Sequence, residues 1–201
     1  GQVVGISSVQ YLRSQSPALL EASWLGVRTD EPVVTFTRHW GEPGAGGSMQ
    51  PLNLRGDYLL LPAKRSYVPS QAVLELDARP APERGERVWL PVKAVDSPHG
   101  YRPVQGKVIS KDTQKFVVVD LGEHLALASL NGSPVISQRT GKVVGALSRG
   151  GEIGDRTLLI LTPAEALREA IAAADETIPL EEAFEAKKET AAHDKKQPMD
   201  S

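Results

Sequence analysis

Fifteen prolines and eighteen glycines are spread along the 201 residues, and the apolar runs between them are short and rich in Val, Ile, Leu and Thr. Proline lacks the amide proton that a helix interior or a central strand needs, and glycine gathers where the chain turns. Punctuation at this density favours short strands joined by turns, so the expected class is all-β, a barrel or sandwich. Eleven runs read as strands: Val3–Leu12, Ala22–Arg28, Val33–Thr37, Tyr58–Pro62, Ala72–Leu76, Arg87–Val95, Gly106–Ser110, Lys115–Asp120, Pro134–Ser137, Val143–Ser148 and Thr157–Thr162. That is about the number that two six-stranded antiparallel barrels require. Gly41–Gly47 reads as a flexible loop, and Ala78–Gly85 as the link between lobes. The expected organisation is a first barrel lobe over residues 1–80, a second over 86–175, and a charged, disordered tail over 176–201.

One helix is expected, from Thr162-Pro163-Ala164-Glu165 to about Ala174. Thr162 can cap it, Pro163 suits the first helical position and Glu165 completes a capping box. Leu167, Ala170, Ile171 and Ala174 then share one face. Beyond Asp175 apolar residues are few, although Leu180–Thr190 could form a short amphipathic helix.

A net charge of −2 and a pI near 6.1 give no reason to expect nucleic acid or an anionic membrane as partner. No apolar stretch approaches the 18 or so residues of a membrane-spanning helix. Cysteine is absent, which removes disulfides, thiolate metal sites and a cysteine nucleophile. The four histidines (His39, His99, His124, His193) are far apart, so neither a metal site nor any other cofactor is expected. The sequence begins at Gly1 rather than Met, which leaves an upstream signal or anchor open, and a periplasmic or envelope location as open as a cytoplasmic one.

Residues 129–150 carry the most specific pattern: Ser129-Leu130-Asn131-Gly132-Ser133-Pro134-Val135, then Gly141-Lys142-Val143-Val144-Gly145 and Ser148-Arg149-Gly150. This segment resembles the nucleophile loop and following hairpin of chymotrypsin-like serine peptidases, in which Gly-x-Ser-Gly-Gly/Ser-Pro-Val leads into Gly-x-Val-Val-Gly. Further pieces are similar to bacterial members of the HtrA kind. Gly56-Asp57-Tyr58-Leu59-Leu60-Leu61 matches the strand that opens with the triad aspartate, Gly85-Glu86-Arg87-Val88 the opening of the second barrel, and Gly106-Lys107-Val108-Ile109-Ser110 a Gly-x-Val-Ser strand. The matched pieces run from about residue 55 to 162. The resemblance implies a trypsin-like pair of barrels with a C-terminal helix packed on the second. The lack of cysteine points to a bacterial or viral type of member.

The same resemblance places the triad at His39, Asp57 and Asn131. His39 ends Val34-Thr35-Phe36-Thr37-Arg38-His39, a distorted version of the family's histidine turn, and lies 18 residues before Asp57. An alternative keeps Val33–Thr37 as an ordinary strand, puts the histidine turn near Leu19–Val27, where no histidine stands, and leaves His39 in a loop beside an exposed tryptophan. Asn131 occupies the nucleophile position. An amide nitrogen is delocalised into its carbonyl and offers a neighbouring base no useful proton, so it is no nucleophile. The oxyanion-hole positions are Ser129 and Asn131, and Ser129 stands where the family needs glycine for its backbone freedom. Ser129 and Ser133, two residues from the presented position, are poor substitutes.

Ser148, Arg149 and Gly150 correspond to the strand that pairs with substrate backbone. An edge strand can hold an extended peptide without any triad. The leading expectation is therefore a trypsin-like fold that has lost catalysis and binds a peptide or protein, or serves as a scaffold. The alternatives are an active, divergent serine endopeptidase with Asn131 a substituted nucleophile, and a β-barrel interaction domain of a larger bacterial assembly.

Overall fold

A computed structural model describes residues 3–7, 22–25, 32–36, 38–41, 58–63, 73–94, 96, 100–112, 116–127 and 130–179. Their strands are β1 (Val3–Ser7), β2 (Ala22–Leu25), β3 (Pro32–Phe36), β4 (Arg38–Trp40), β5 (Leu59–Ala63), β6 (Arg87–Lys93), β7 (Tyr101–Asp112) and β8 (Phe116–Asp120), followed by β9 (Pro134–Ser137), β10 (Val143–Ile153), β11 (Arg156–Pro163) and β12 (Thr177–Pro179). One helix, α1 (Ala164–Ala173), lies between β11 and β12.

The second half closes into a six-stranded barrel in the order β10-β11-β8-β7-β6-β9, with β9 returning to β10. Every pairing in it is antiparallel. Period-2 alternation makes this possible: Val88 and Leu90 of β6, Val117 and Val119 of β8, and Leu159 and Leu161 of β11 are all buried and fill the interior. Gly106 belongs to the same design. A Cβ there would stand 2.7 Å from Val119 Cγ1 and 3.0 Å from Leu121 Cδ2, so the barrel wall closes only around glycine.

In the first half the described strands form antiparallel pairs, β1 with β5, β2 with β3 and β4 with β12. The expected Val33–Thr37 run appears as β3, an ordinary strand paired with β2. Residues 73–75 are not a strand, contrary to the expected Ala72–Leu76. Leu76 makes one isolated bridge to Val143, because the link needs only to tack onto the barrel, not to extend its sheet.

The helix begins later than its capping signal suggests. Thr162 does not cap it. That residue is fully buried in β11, opposite Ala146, and the N-cap position falls to Pro163 with no side-chain hydrogen bond. Strand pairing with β10 wins over capping because Leu161 and Thr162 are still inside the barrel wall. Ala164 and Leu167 are the buried residues of α1, which packs on β10 and β11. After the helix, Thr177–Pro179 form β12, within the stretch expected to be charged tail. Ile178 pairs opposite His39, Gly41 N–H donates to Glu176 O at 2.9 Å, and Arg38 Nε donates to Thr177 Oγ1 at 3.0 Å.

The expected interlobe link is stapled to the barrel by a compact ionic network. Arg79 makes one fork to Asp77 (Nε–Oδ1 3.0 Å, Nη2–Oδ2 2.7 Å) and another to Glu86 (Nη1–Oε2 2.9 Å, Nη2–Oε1 2.8 Å). Thr140 Oγ1 donates to Asp77, and the buried Ser137 hydroxyl donates to Glu86. Asp77 N–H reaches Val143 O, and Val143 N–H reaches Glu75 O. The hydrogen bonds from Arg79 hold the Asp77 carboxyl down at about 2, although burial opposes them. For Glu86 burial is the largest single influence and pushes upward. Arg79, Ser137 and the Glu83 N–H together outweigh it and hold this carboxyl also near 2.

Candidate functional site

Leu130-Asn131-Gly132-Ser133 form a tight turn. Ser133 N–H donates to Leu130 O at 2.9 Å, and Gly132 has φ of +86°. A hydrogen bond from residue i+3 to residue i with a positive φ at i+2 alone defines a type II turn, which explains the glycine. Asn131 is then the first central residue, half-buried, at the outer corner of the bend. Gly132 N–H donates to Leu147 O at 2.7 Å, and Leu147 N–H donates to Ser133 O at 2.8 Å. The turn is thereby fastened to β10 just before Ser148, which brings the sequence-predicted Asn131 close to the start of Ser148–Gly150.

A β-bulge lies between Leu147 and Arg149, whose partners on β11 are the adjacent residues Leu161 and Ile160. Ser148 is the extra residue and is buried. A bulge of this kind bends the strand and re-aims the residues after it. On its other flank β10 meets β9 only at Val143, Gly145 and Ala146. From Ser148 onward β10 is paired with β11 and not with β9 among the described residues. Arg149 is half-buried, and its Nε is buried without a hydrogen-bond partner among the described residues.

The loop before the turn is tied to β11 and to the far end of β10. Leu125 N–H donates to Thr157 Oγ1 at 2.9 Å, Leu121 N–H donates to Thr157 O at 3.0 Å, and Leu130 N–H donates to Leu127 O at 3.0 Å. His124 Nε2 meets Glu152 Oε1 at 2.8 Å, tying the loop to the far end of β10. Leu127 rests on Gly150: a Cβ on that glycine would lie 2.3 Å from Leu127 Cδ1 and 2.8 Å from Leu158 O. Sequence reasoning assigned no role to Leu127. Its signal was the flanking run Leu125-Ala126-Leu127, too apolar for an exposed loop.

His39 belongs to β4. It is 1% exposed, in the middle of β4 and opposite Ile178 of β12. It is therefore a buried strand residue and not a loop histidine, and Trp40 beside it is half-buried. Asp57 and Ser129 lie outside the described residues. No group of three or more His, Cys, Asp or Glu among the described residues could hold a metal ion, and no helix among them is long and apolar enough to cross a membrane.

No protein-family model matches the sequence, and no curated protein sequence does. Solved structures do. The tobacco vein mottling virus protease is 13% identical, with a TM-score of 0.50 over 87% of this chain and 73% of that one. The fold is similar to that of this viral protease. Kallikrein-related peptidase 10 (17% identical, TM-score 0.44, 57% of this chain and 63% of that one) and the serine endoprotease from Yersinia pestis (16%, 0.41, 58% and 39%) are also similar. The chain thus spans less than two thirds of the length of these last two. All three are named as proteases or peptidases, and one of them as a serine endoprotease. Identities this low speak to the fold alone.

Proposed function

We propose that the chain is a trypsin-like module of two barrel lobes that has lost peptidase chemistry and binds an extended peptide or protein segment along β10. The observation that carries this reading is Asn131 at the corner of the turn fastened to β10, the position at which a peptidase of this fold would present its nucleophile. With His39, Asp57 and Asn131 as the degenerate triad positions, an amide replaces the group that must attack. Backbone pairing along Ser148–Gly150 needs no nucleophile, and β9 pairs with β10 only as far as Ala146. The half-buried Arg149 biases the site toward acidic segments.

The chain is expected to hydrolyse no generic peptide or ester substrate and to resist fluorophosphonate probes that acylate activated serines. Stoichiometric labelling at any serine would overturn this and favour a divergent active endopeptidase. Activity restored by Asn131→Ser alone would mark the loss as recent and the remaining machinery as intact. For binding, Arg149→Glu is expected to weaken an acidic partner by about 1–3 kcal/mol, the worth of a charge-assisted hydrogen bond. The rival location is the charged tail, as in an interaction domain of a larger assembly. Removing the residues after Pro179 leaves β12 in place. If this truncation abolishes partner binding while Arg149→Glu does not, the groove assignment fails.

A further inference from the structure

The outer face of the β6–β7 ribbon carries a second, unassigned surface. The register pairs Arg87 with Lys107, Trp89 with Gln105, Pro91 with Pro103 and Lys93 with Tyr101. Val88 and Leu90 point into the core, so these alternate residues point out. Trp89 is 38% exposed and Tyr101 45%. Ile136 of β9, opposite Trp89, widens the apolar strip.

The charges on this face are unfavourable in an isolated barrel. Arg87 and Lys107 stand directly across from one another, an arrangement of like charges that destabilises a sheet. Arg102, Arg139 and Arg156 are each held by a carboxylate, whereas Arg87, Lys93 and Lys107 form no ion pair among the described residues. Asp120, opposite Lys107 on β8, is engaged by Arg156 and the Gly122 N–H. An exposed tryptophan and tyrosine with a proline pair between them, bracketed by uncompensated cations, form an aromatic-apolar strip with positive ends.

We propose that this face docks an extended acidic peptide that carries apolar or proline anchors. Trp89 and Tyr101 are four residues apart along the ribbon, about 13 Å at the rise of a strand. An extended peptide advances at the same rate, so its residues i and i+4 reach both rings while the proline pair supports what lies between. Acidic residues at its two ends meet Arg87 with Lys107 at one side and Lys93 at the other. Three cations without a longer basic track fit a short acidic peptide better than a phosphate backbone.

The test uses the full chain and a fluorescein-labelled peptide of alternating glutamate and proline or leucine, followed by fluorescence anisotropy at low and moderate salt. Saturable binding is expected, reduced by salt, with a component that is weakened at least tenfold by Trp89→Ala and by the exposed double reversal Arg87→Glu/Lys107→Glu and that persists in Arg149→Glu, where only binding along β10 is lost. Thermal unfolding of the double reversal checks that its fold is intact. Binding lost in Arg149→Glu but kept in the face variants would put the peptide in the β10 groove and overturn the proposal. So would a lack of saturation, or a uridine dodecamer that binds more tightly than the peptide.

Discussion

Replacing Arg79 with methionine is expected to destabilise the fold by about 3 kcal/mol, the lower end for removing one partner of a buried ionic group, since part of the guanidinium reaches solvent. The side chains of Asp77 and Glu86 are 6% and 4% exposed and Arg79 is 24% exposed, so the two carboxylates would be left facing each other away from water. In a chain of this size the midpoint of thermal unfolding should drop by roughly 10 °C. Lysine should not rescue it, because an ammonium group cannot make two planar forks at once. The same network predicts acid sensitivity. Both carboxyls are held near 2, below ordinary values of 3.8 and 4.5. Their contribution is therefore fully present above about pH 4.5 and is lost as pH falls toward 2. At roughly 1.4 kcal/mol per pKa unit, and with both groups leaning on one guanidinium, the loss is on the order of 4 kcal/mol. Urea unfolding at pH 7, 5 and 3 measures it. Arg79→Met should narrow its deficit as the pH falls, because protonation neutralises the stranded carboxylates. A deficit independent of pH would rule out the ionic account.

Gly145→Ala is expected to cost about 2–3 kcal/mol, near the top of the range for overpacking a closed interior. The new Cβ would stand 2.6 Å from Thr162 O and 3.0 Å from Leu161 Cβ. The obstacle is backbone and cannot rotate away, so β10 must part from β11 where α1 begins. Gly151→Ala, six residues along the same strand and with nothing within 4 Å of its Cβ, is the control and should be within about 0.5 kcal/mol of the parent. Equal effects in denaturant melts would show that the close approach at Gly145 is not what holds the junction.

The sequence by itself determined the strands of the barrel, because alternation at Val88 and Leu90 or at Val117 and Val119 is a local property that only a two-sided sheet satisfies. The turn at Asn131 was legible through the resemblance of residues 129–150, and Gly132 supplies the positive φ that its type II geometry needs. Some boundaries were not legible. Thr162 and Pro163 carry a good helix-start signal, yet pairing with β10 keeps them in β11. Three groups of residues depended on neighbours distant in the chain. Arg79 read as a linker charge and Glu86 as part of a barrel-opening motif, with nothing to join them to Asp77 until Ser137 and Thr140 closed over all three. His39 read as a turn or loop residue until β12, almost 140 positions later, paired with its strand and buried it. Gly145, Gly150 and Gly151 look alike in one dimension. Whether a methyl group fits at each is decided by Thr162, Leu127 and open solvent, because packing is a relation between segments that local sequence does not encode.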